Sequence, residues 1–167
     1  MDIRELFEKG VCFEEFVNQD TDAYKEKTLQ ILNDIKFKPE QIEKIKQINN
    51  KIYILTFAEM WCPDCMINVP VIEKMRQLNE KITISIVGKE GNEKFFKKYS
   101  PDENLKIPTF VVFDKNFKEI GSLVEHPKVV KDILSSSNQP NRIVAMRKYR
   151  KGEYANETLD DILQIIL

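Results

Sequence analysis

The fold is decided by residues 51–70, which read KIYILTFAEMWCPDCMINVP. Residues 51–57 are mostly apolar and rich in β-branched and aromatic side chains, which is typical of a strand buried on both faces. Pro63 suits the first turn of a helix, and we predict this helix from about Cys62 to Leu78. The stretch therefore predicts a strand followed by a helix, with two cysteines at the junction.

Further strands follow this junction. Apolar runs predict strands at residues 82–87 and 109–113, and the polar turn at 114–117 predicts a hairpin that returns along 118–124. A strand–helix–strand unit places its two strands parallel, whereas a hairpin adds antiparallel strands. The sequence thus predicts an α/β fold, a three-layer sandwich with a central mixed sheet.

The chain divides into three predicted parts. Helical periodicity in residues 1–50 predicts a helical N-terminal extension packed on the domain. Residues 51–134 form the predicted core. Residues 135–167 form a C-terminal extension with a loop and a helix, and residues 143–146 in its polar part are consistent with a strand. A chain of 167 residues holds one domain with appendages and is too short for two ordinary domains.

The charge balance limits the classes of partner. Lys and Arg total 26 against 27 Asp and Glu, for a net charge of −1, so no global field attracts nucleic acid or an anionic membrane. We expect the basic stretch at 142–151 to be a solvated strand or loop rather than a nucleic-acid patch. The chain has no apolar run of about 18 residues and no signal-peptide pattern at its start. We therefore expect a cytoplasmic protein without nucleic-acid or membrane partners.

Cys62 and Cys65 carry the chemistry that the sequence indicates. At a helix start the first N–H groups lack intrahelical partners and, with the positive dipole end, favour an anion. A cysteine there loses its proton more easily and becomes a nucleophile, and a cysteine three residues later lies within disulfide reach. From the motif alone two other interpretations remain open, half of a zinc site or two buried apolar cysteines.

Two segments resemble the thioredoxin family. Residues 58–70 look like the family's active-site strand, motif and helix kinked by a proline, here Pro70, and residues 107–109 look like its cis-proline loop. The resemblance covers about residues 51–134 and implies a thioredoxin-like three-layer sandwich. The Trp-Cys-Pro-Asp-Cys motif is similar to that of thioredoxin-related proteins that reduce smaller or more restricted substrates.

The resemblance implies a role for each matching residue. Cys62 would be the attacking thiolate and Cys65 the resolving thiol, and Trp61 would belong to the docking surface. Pro108 would be cis and would shape the groove in which the substrate backbone pairs with Ile107.

The middle of the motif, Pro63 and Asp64, is expected to tune the reduction potential. Thr56 stands where the family carries a buried acid, six residues before the first cysteine. Because a hydroxyl cannot act as a base near neutral pH, Glu59 and Asp64 are the carboxylates that remain for proton transfer at the second cysteine. The alternative is that Asp64 is solvated and only tunes the potential.

The resulting prediction is a thiol–disulfide oxidoreductase that acts chiefly as a reductase. Its substrates would be disulfide-containing proteins or small molecules, and its electrons would come from a reductase or a low-molecular-weight thiol, with no cofactor and no metal. Two alternatives are a binding or scaffold protein that uses the fold without turnover, and a structural zinc protein.

The zinc alternative depends on a formal Cys₃His set, which consists of Cys12, Cys62, Cys65 and His126. Taken singly, Cys12 lies between Val11 and Phe13 and is expected to be a small buried side chain. His126 is expected to be a solvated loop residue.

Overall fold

The structure is a computed structural model that describes residues 1–20, 22–100 and 102–167. Within these ranges the strands are β1 (Ile52–Phe57), β2 (Ile82–Val87), β3 (Thr109–Phe113) and β4 (Glu119–Val124). The helices there are α1 (Ile3–Lys9), α2 (Phe13–Val17), α3 (Ala23–Asp34), α4 (Pro39–Lys46), α5 (Pro63–Leu78), α6 (Glu93–Phe96), α7 (Lys128–Ser135), α8 (Gln139–Arg150) and α9 (Ala155–Ile166). None of these helices has the length and apolar character needed to cross a membrane.

The strands form one sheet in the order β2–β1–β3–β4. β1 pairs in parallel with β2, whereas β3 is antiparallel to both of its neighbours. The parallel pair is connected through α5, and the hairpin supplies the antiparallel pair, as the connection rules require. The mixed sheet and its four predicted strands are confirmed.

Helices cover both faces of the sheet and bury its apolar side chains. On one face, Phe57 of β1 stacks on Phe96 of α6 with ring centroids 4.5 Å apart, and both rings are fully buried. Burying a side chain of this size stabilises the fold by about 1.5–3 kcal/mol. On the other face, α5 packs beside α9, and Ile165 of α9 lies against Gly121 of β4. These layers confirm the predicted three-layer sandwich.

The N-terminal part of the chain is helical, as predicted, and it covers the outer edge of β2. Val11, between α1 and α2, forms an isolated antiparallel bridge with Ile86, in which both N–H···O distances are 2.9 Å. The hydroxyl of Ser85 also donates a hydrogen bond to the carbonyl of Phe7 at 2.5 Å. An edge strand otherwise presents unpaired backbone groups. The boundary at residue 50 stays a prediction.

The C-terminal part differs from the prediction. It contains two helices, α8 and α9, and residues 143–146 belong to α8 rather than to a strand. The side chain of Asn138 caps α8 by accepting a hydrogen bond from the N–H of Asn141 at 3.1 Å, and Pro140 lies in the first turn. A side-chain cap and an early proline both favour a helix start, and here they outweigh the two β-branched residues that suggested a strand.

Gly121→Ala should destabilise the contact between β4 and α9. A Cβ atom at this position would lie 2.7 Å from Cγ2 of Ile165, whose β-branched side chain is stiff. We expect the free energy of unfolding in urea to fall by about 1–3 kcal/mol, as for other overpacked sites. Ser122→Ala, at an exposed position of the same strand, is the control and should change it by less than about 0.5 kcal/mol. Equal stability of the two variants would contradict this packing.

Candidate active site

The two cysteines of the motif lie at the beginning of α5. Cys62 immediately precedes the helix, and its Sγ accepts a hydrogen bond from the backbone N–H of Cys65 at 3.4 Å. Pro63 occupies the first turn, where its missing N–H leaves nothing unsatisfied. Both thiols are free, with Cys62 5% exposed and Cys65 fully buried. The helix start thus points a donor at the Cys62 sulfur.

The two thiols have pKa shifts in opposite directions. The pKa of Cys62 is lowered, chiefly because the Cys65 thiol donates a hydrogen bond to its sulfur, and this effect outweighs its partial burial. Burial raises the pKa of Cys65 well above its usual value, and the neighbouring Cys62 raises it further. Cys62 therefore forms the thiolate more readily than Cys65.

The residues expected to bind substrate lie beside Cys62. The Cys62 thiol donates to the carbonyl oxygen of Ile107, with 3.6 Å between sulfur and oxygen, and the Ile107–Pro108 peptide bond is cis. Trp61 is 58% exposed although its side chain is large and mostly apolar. A large, mostly apolar side chain that is exposed next to the Cys62 sulfur is suited to contacts with another molecule.

A cluster of titratable side chains adjoins the motif. The Nε2 atom of His126 lies 3.3 Å from the Asp64 carboxylate, and its Nδ1 atom lies 3.2 Å from the Glu125 carboxylate. The imidazole also meets the ring of Tyr149 edge-on, with centroids 5.0 Å apart. The His126 side chain is only 11% exposed, so the expectation of a solvated loop residue is wrong. Its covering partners come from α5 and α8, which are distant in the sequence.

One group of side chains in the described ranges has ligand atoms close enough together to bind a metal ion. It consists of Asp64, Glu125 and His126, whose ligand atoms lie within 4.8 Å of one another. The two ring nitrogens, however, lie on different edges of the imidazole and face different carboxylates. A metal ion on one nitrogen would therefore meet only one carboxylate without rearrangement. The geometry favours hydrogen bonding within this cluster over metal binding.

Asn68 connects α5 to the C-terminal part of the chain. Its side chain is 1% exposed, donates to the Tyr149 hydroxyl at 2.7 Å and to the Glu125 carbonyl at 3.1 Å, and accepts from the Thr158 hydroxyl at 2.8 Å. The sequence analysis missed this network. Its one local signal is a single amide in the otherwise apolar run of residues 66–72, where an unpaired polar group would be costly.

The carboxylates considered for proton transfer have different surroundings. The Glu59 carboxylate accepts a hydrogen bond from the N–H of Lys89 at 2.7 Å, so it faces the loop after β2. The Asp64 carboxylate is close enough to raise the pKa of both thiols of the motif. Thr56 is fully buried, and its hydroxyl has no hydrogen-bond partner in the described ranges. Of the two carboxylates, Asp64 is the better placed to act on Cys65.

Cys12 is exposed at the residue preceding α2, so the expectation of a buried side chain is wrong. Cys12 is the residue at which a helix starts, and its backbone N–H donates a hydrogen bond to the Glu15 carboxylate at 3.1 Å. Its thiol stays at the surface. In the part of the chain that the structure describes, no three ligand atoms of the formal Cys₃His set all lie within 4.8 Å of one another. The geometry therefore gives the zinc alternative no support.

Asp64→Asn should shift the alkylation of Cys62 to lower pH. The Asp64 carboxylate disfavours the neighbouring thiolate, so removing its charge lowers the pKa of Cys62 further. His126→Leu should act in the opposite direction, because it leaves the Asp64 charge without its imidazole partner. The midpoint pH of iodoacetamide alkylation measures both effects. Asp132→Asn, at an exposed position of α7, is the control, and equal midpoints for the two Asp→Asn variants would contradict the electrostatic role.

Known proteins share the fold of this chain. The family described as thioredoxin matches residues 10–142, which is most of the chain, so the protein belongs to the thioredoxin family. A protein of unknown function from Pseudomonas aeruginosa has the same fold, with a TM-score of 0.88 and 26% identity over 99% of this chain and 97% of that chain. An HIV epitope-scaffold is similar, with a TM-score of 0.87 and 25% identity over 99% of this chain and 98% of the scaffold. No curated protein sequence matches the chain significantly.

Proposed function

We propose that this protein is a thiol–disulfide oxidoreductase that acts chiefly as a reductase. The observation that carries the proposal is the hydrogen bond from the Cys65 N–H to the Cys62 sulfur at the start of α5. Membership of the thioredoxin family and two free thiols with opposite pKa shifts support it. Because a thiolate is the reactive form, the lowered pKa of Cys62 makes it the attacking group.

The reaction proceeds in two exchanges. The Cys62 thiolate attacks one sulfur of the substrate disulfide, a Cys62–substrate bond forms, and the other substrate sulfur leaves as a thiolate that takes a proton. Cys65 then loses its proton and attacks the Cys62 sulfur. This step breaks the mixed disulfide, forms the Cys62–Cys65 disulfide and releases the second substrate thiol. Two electrons have passed from the protein to the substrate.

The second exchange requires a proton acceptor for Cys65, whose pKa is raised by burial. Asp64 is next to Cys65 in sequence and is held by His126, so it is our candidate for this role. A general base of this kind accelerates a step by about 10²–10⁴-fold. If Asp64→Asn resolves mixed disulfides as fast as the unmodified protein, water accepts the proton and Asp64 only tunes the potential.

The residues around Cys62 suit substrate binding. Trp61 offers an exposed apolar surface, and the Ile107–Pro108 segment lies against the Cys62 sulfur, where a substrate backbone would pair with it. Pro63 and Asp64 set the environment of the two sulfurs. Substrates would be disulfides of proteins or of small molecules in a reducing compartment such as the cytoplasm, and a reductase or a low-molecular-weight thiol would return electrons to the protein.

Insulin reduction tests the proposed function. The protein should accelerate the precipitation of insulin chains in the presence of dithiothreitol, and the acceleration should require Cys62. If the purified, folded protein does not accelerate the reaction, and hydroxyethyl disulfide is not reduced either, the enzymatic proposal is wrong. The scaffold alternative, in which the fold binds partners without turnover, would then take its place.

A further inference from the structure

The surface between α7 and α8 contains a cavity of about 600 Å³. Its apolar floor consists of Leu134 of α7 and Ile143 and Met146 of α8. Ile143 is 52% exposed, whereas Leu134 and Met146 are partly buried. The floor is therefore apolar surface that lies open to a ligand.

Cations surround this floor on the α8 side. Arg142, Arg147 and Arg150 of α8 line the cavity, together with Lys151, which follows the helix. None of these four forms an ion pair with a residue in the described ranges, and the sequence from 133 to 152 contains no acidic residue at all. The net charge of the chain is only −1, so this local excess of positive charge selects an anionic occupant.

The cavity adjoins the candidate active site through α8. A second surface depression beside the motif is lined by Pro63, Asp64 and His126, and it shares Met146 and Arg150 with the cavity. One helix thus separates the two, and a helix with its side chains is about 10–12 Å across. An extended peptide covers that width with about four residues, at roughly 3.3 Å each. A substrate segment that lies in the depression beside the motif can therefore also reach the cavity.

We infer that this cavity binds an acidic segment of the protein disulfide substrate, with a leucine or similar aliphatic side chain on the floor and carboxylates beside the arginines. The inference rests on the proposed function and adds a substrate class to it. Nucleic acid fits less well, because the lining offers aliphatic rather than aromatic side chains for a base to stack on. The basic stretch that the sequence analysis assigned to a solvated strand or loop is helical, and most of its cationic side chains are exposed, as expected of a solvated segment.

Two synthetic peptides with an intrachain disulfide test the inference. They differ only in a flank four residues from the disulfide, which reads Leu-Glu-Glu-Leu in one and Leu-Gln-Gln-Leu in the other. The kcat/KM for the Leu-Glu-Glu-Leu peptide should be about tenfold higher than that for the Leu-Gln-Gln-Leu peptide, since two partly exposed ion pairs change affinity by roughly that factor. The preference should weaken as salt is added.

Charge reversal locates the preference. The double variant Arg142→Glu/Arg147→Glu should lose or invert the ratio between the two peptides, whereas Lys148→Glu, on the same helix but outside the cavity, should keep it. Ile143→Ser should slow reduction of the Leu-Glu-Glu-Leu peptide more than Val144→Ser does, because Val144 is equally exposed at 49% but does not line the cavity. Hydroxyethyl disulfide, which is small and uncharged, provides the reference rate for each variant.

Each outcome decides the matter. If the protein reduces hydroxyethyl disulfide but shows the same kcat/KM for both peptides, this inference is wrong and the proposed function stands. Failure to reduce insulin, hydroxyethyl disulfide and both peptides would overturn the proposed function and the inference together. A preference that Lys148→Glu removes as fully as the double variant would place the anion site elsewhere. A protein that is dimeric in solution and becomes monomeric in the double variant would show that a second copy, not a substrate, covers this surface.

Discussion

Replacing Cys62 with serine should lower the rate of insulin reduction to that of dithiothreitol alone. The thiolate is the nucleophile in thiol–disulfide exchange, and the hydrogen bonds that stabilise it converge on the Cys62 sulfur rather than on Cys65. A serine hydroxyl stays protonated at neutral pH and cannot replace it. Cys12→Ser is the matched control, since Cys12 is an exposed thiol away from the motif, and it should leave the rate unchanged.

Cys65→Ser should give a different failure. The attacking thiol remains, but no second thiol can displace the substrate, so mixed disulfides between Cys62 and the substrate should accumulate and be visible by non-reducing electrophoresis or mass spectrometry.

The order of attack can be tested directly by alkylation of the two cysteines. If Cys62 were alkylated more slowly than Cys65 at neutral pH, the roles assigned to the two cysteines would be reversed.

Asn68→Ala should lower the free energy of unfolding by about 3–5 kcal/mol, the largest stability effect that we expect of a single substitution here. The change leaves the Thr158 hydroxyl and the backbone carbonyl of Glu125 without their amide partner, and it removes the amide donor from the Tyr149 hydroxyl, which keeps its hydrogen bond to Asp64. Each buried polar group left unpaired costs about 1–3 kcal/mol. Urea denaturation followed by circular dichroism gives the difference.

Thr158→Val separates this network from a simple loss of packing. It keeps the shape of the side chain and removes one hydroxyl, so we expect a loss of about 1–2 kcal/mol. Tyr149→Phe should behave similarly. Because Asn68 and Thr158 are hydrogen-bonded to each other, a double-mutant cycle between Asn68→Ala and Thr158→Val should show coupling of about 0.5–3 kcal/mol. If Asn68→Ala were destabilising by less than 1 kcal/mol, the network would have no structural role.

Local patterns in the sequence predicted the sheet and the cysteine pair. Residues 82–87 and 109–113 are short, β-branched apolar runs with turn signals at their ends, and this local pattern favours strands. Cys62 and Pro63 at the end of a strand likewise define a helix start. The features that depend on neighbouring residues along the chain were therefore predictable.

Features formed between distant segments were not predictable. Asn68 is 81 residues from Tyr149 and 90 residues from Thr158, and nothing near any one of them indicates the other two. His126 similarly owes its burial to Asp64 and Tyr149 rather than to its own loop. In α8, the β-branched pair at 143–144 suggested a strand, and the capping residues that determine the helix lie several positions earlier.

The bridge between Val11 and Ile86 has a consequence for biosynthesis. Its two residues are 86 − 11 = 75 positions apart, which at about 5–20 residues per second takes a ribosome roughly 4–15 s to synthesise. During that interval α1 and α2 have no sheet to cover, and the side chains of Leu6, Phe13 and Phe16 stay exposed to the cell. The N-terminal helices of each new chain must wait, unfolded or held by a chaperone, until the strand that they cover has emerged.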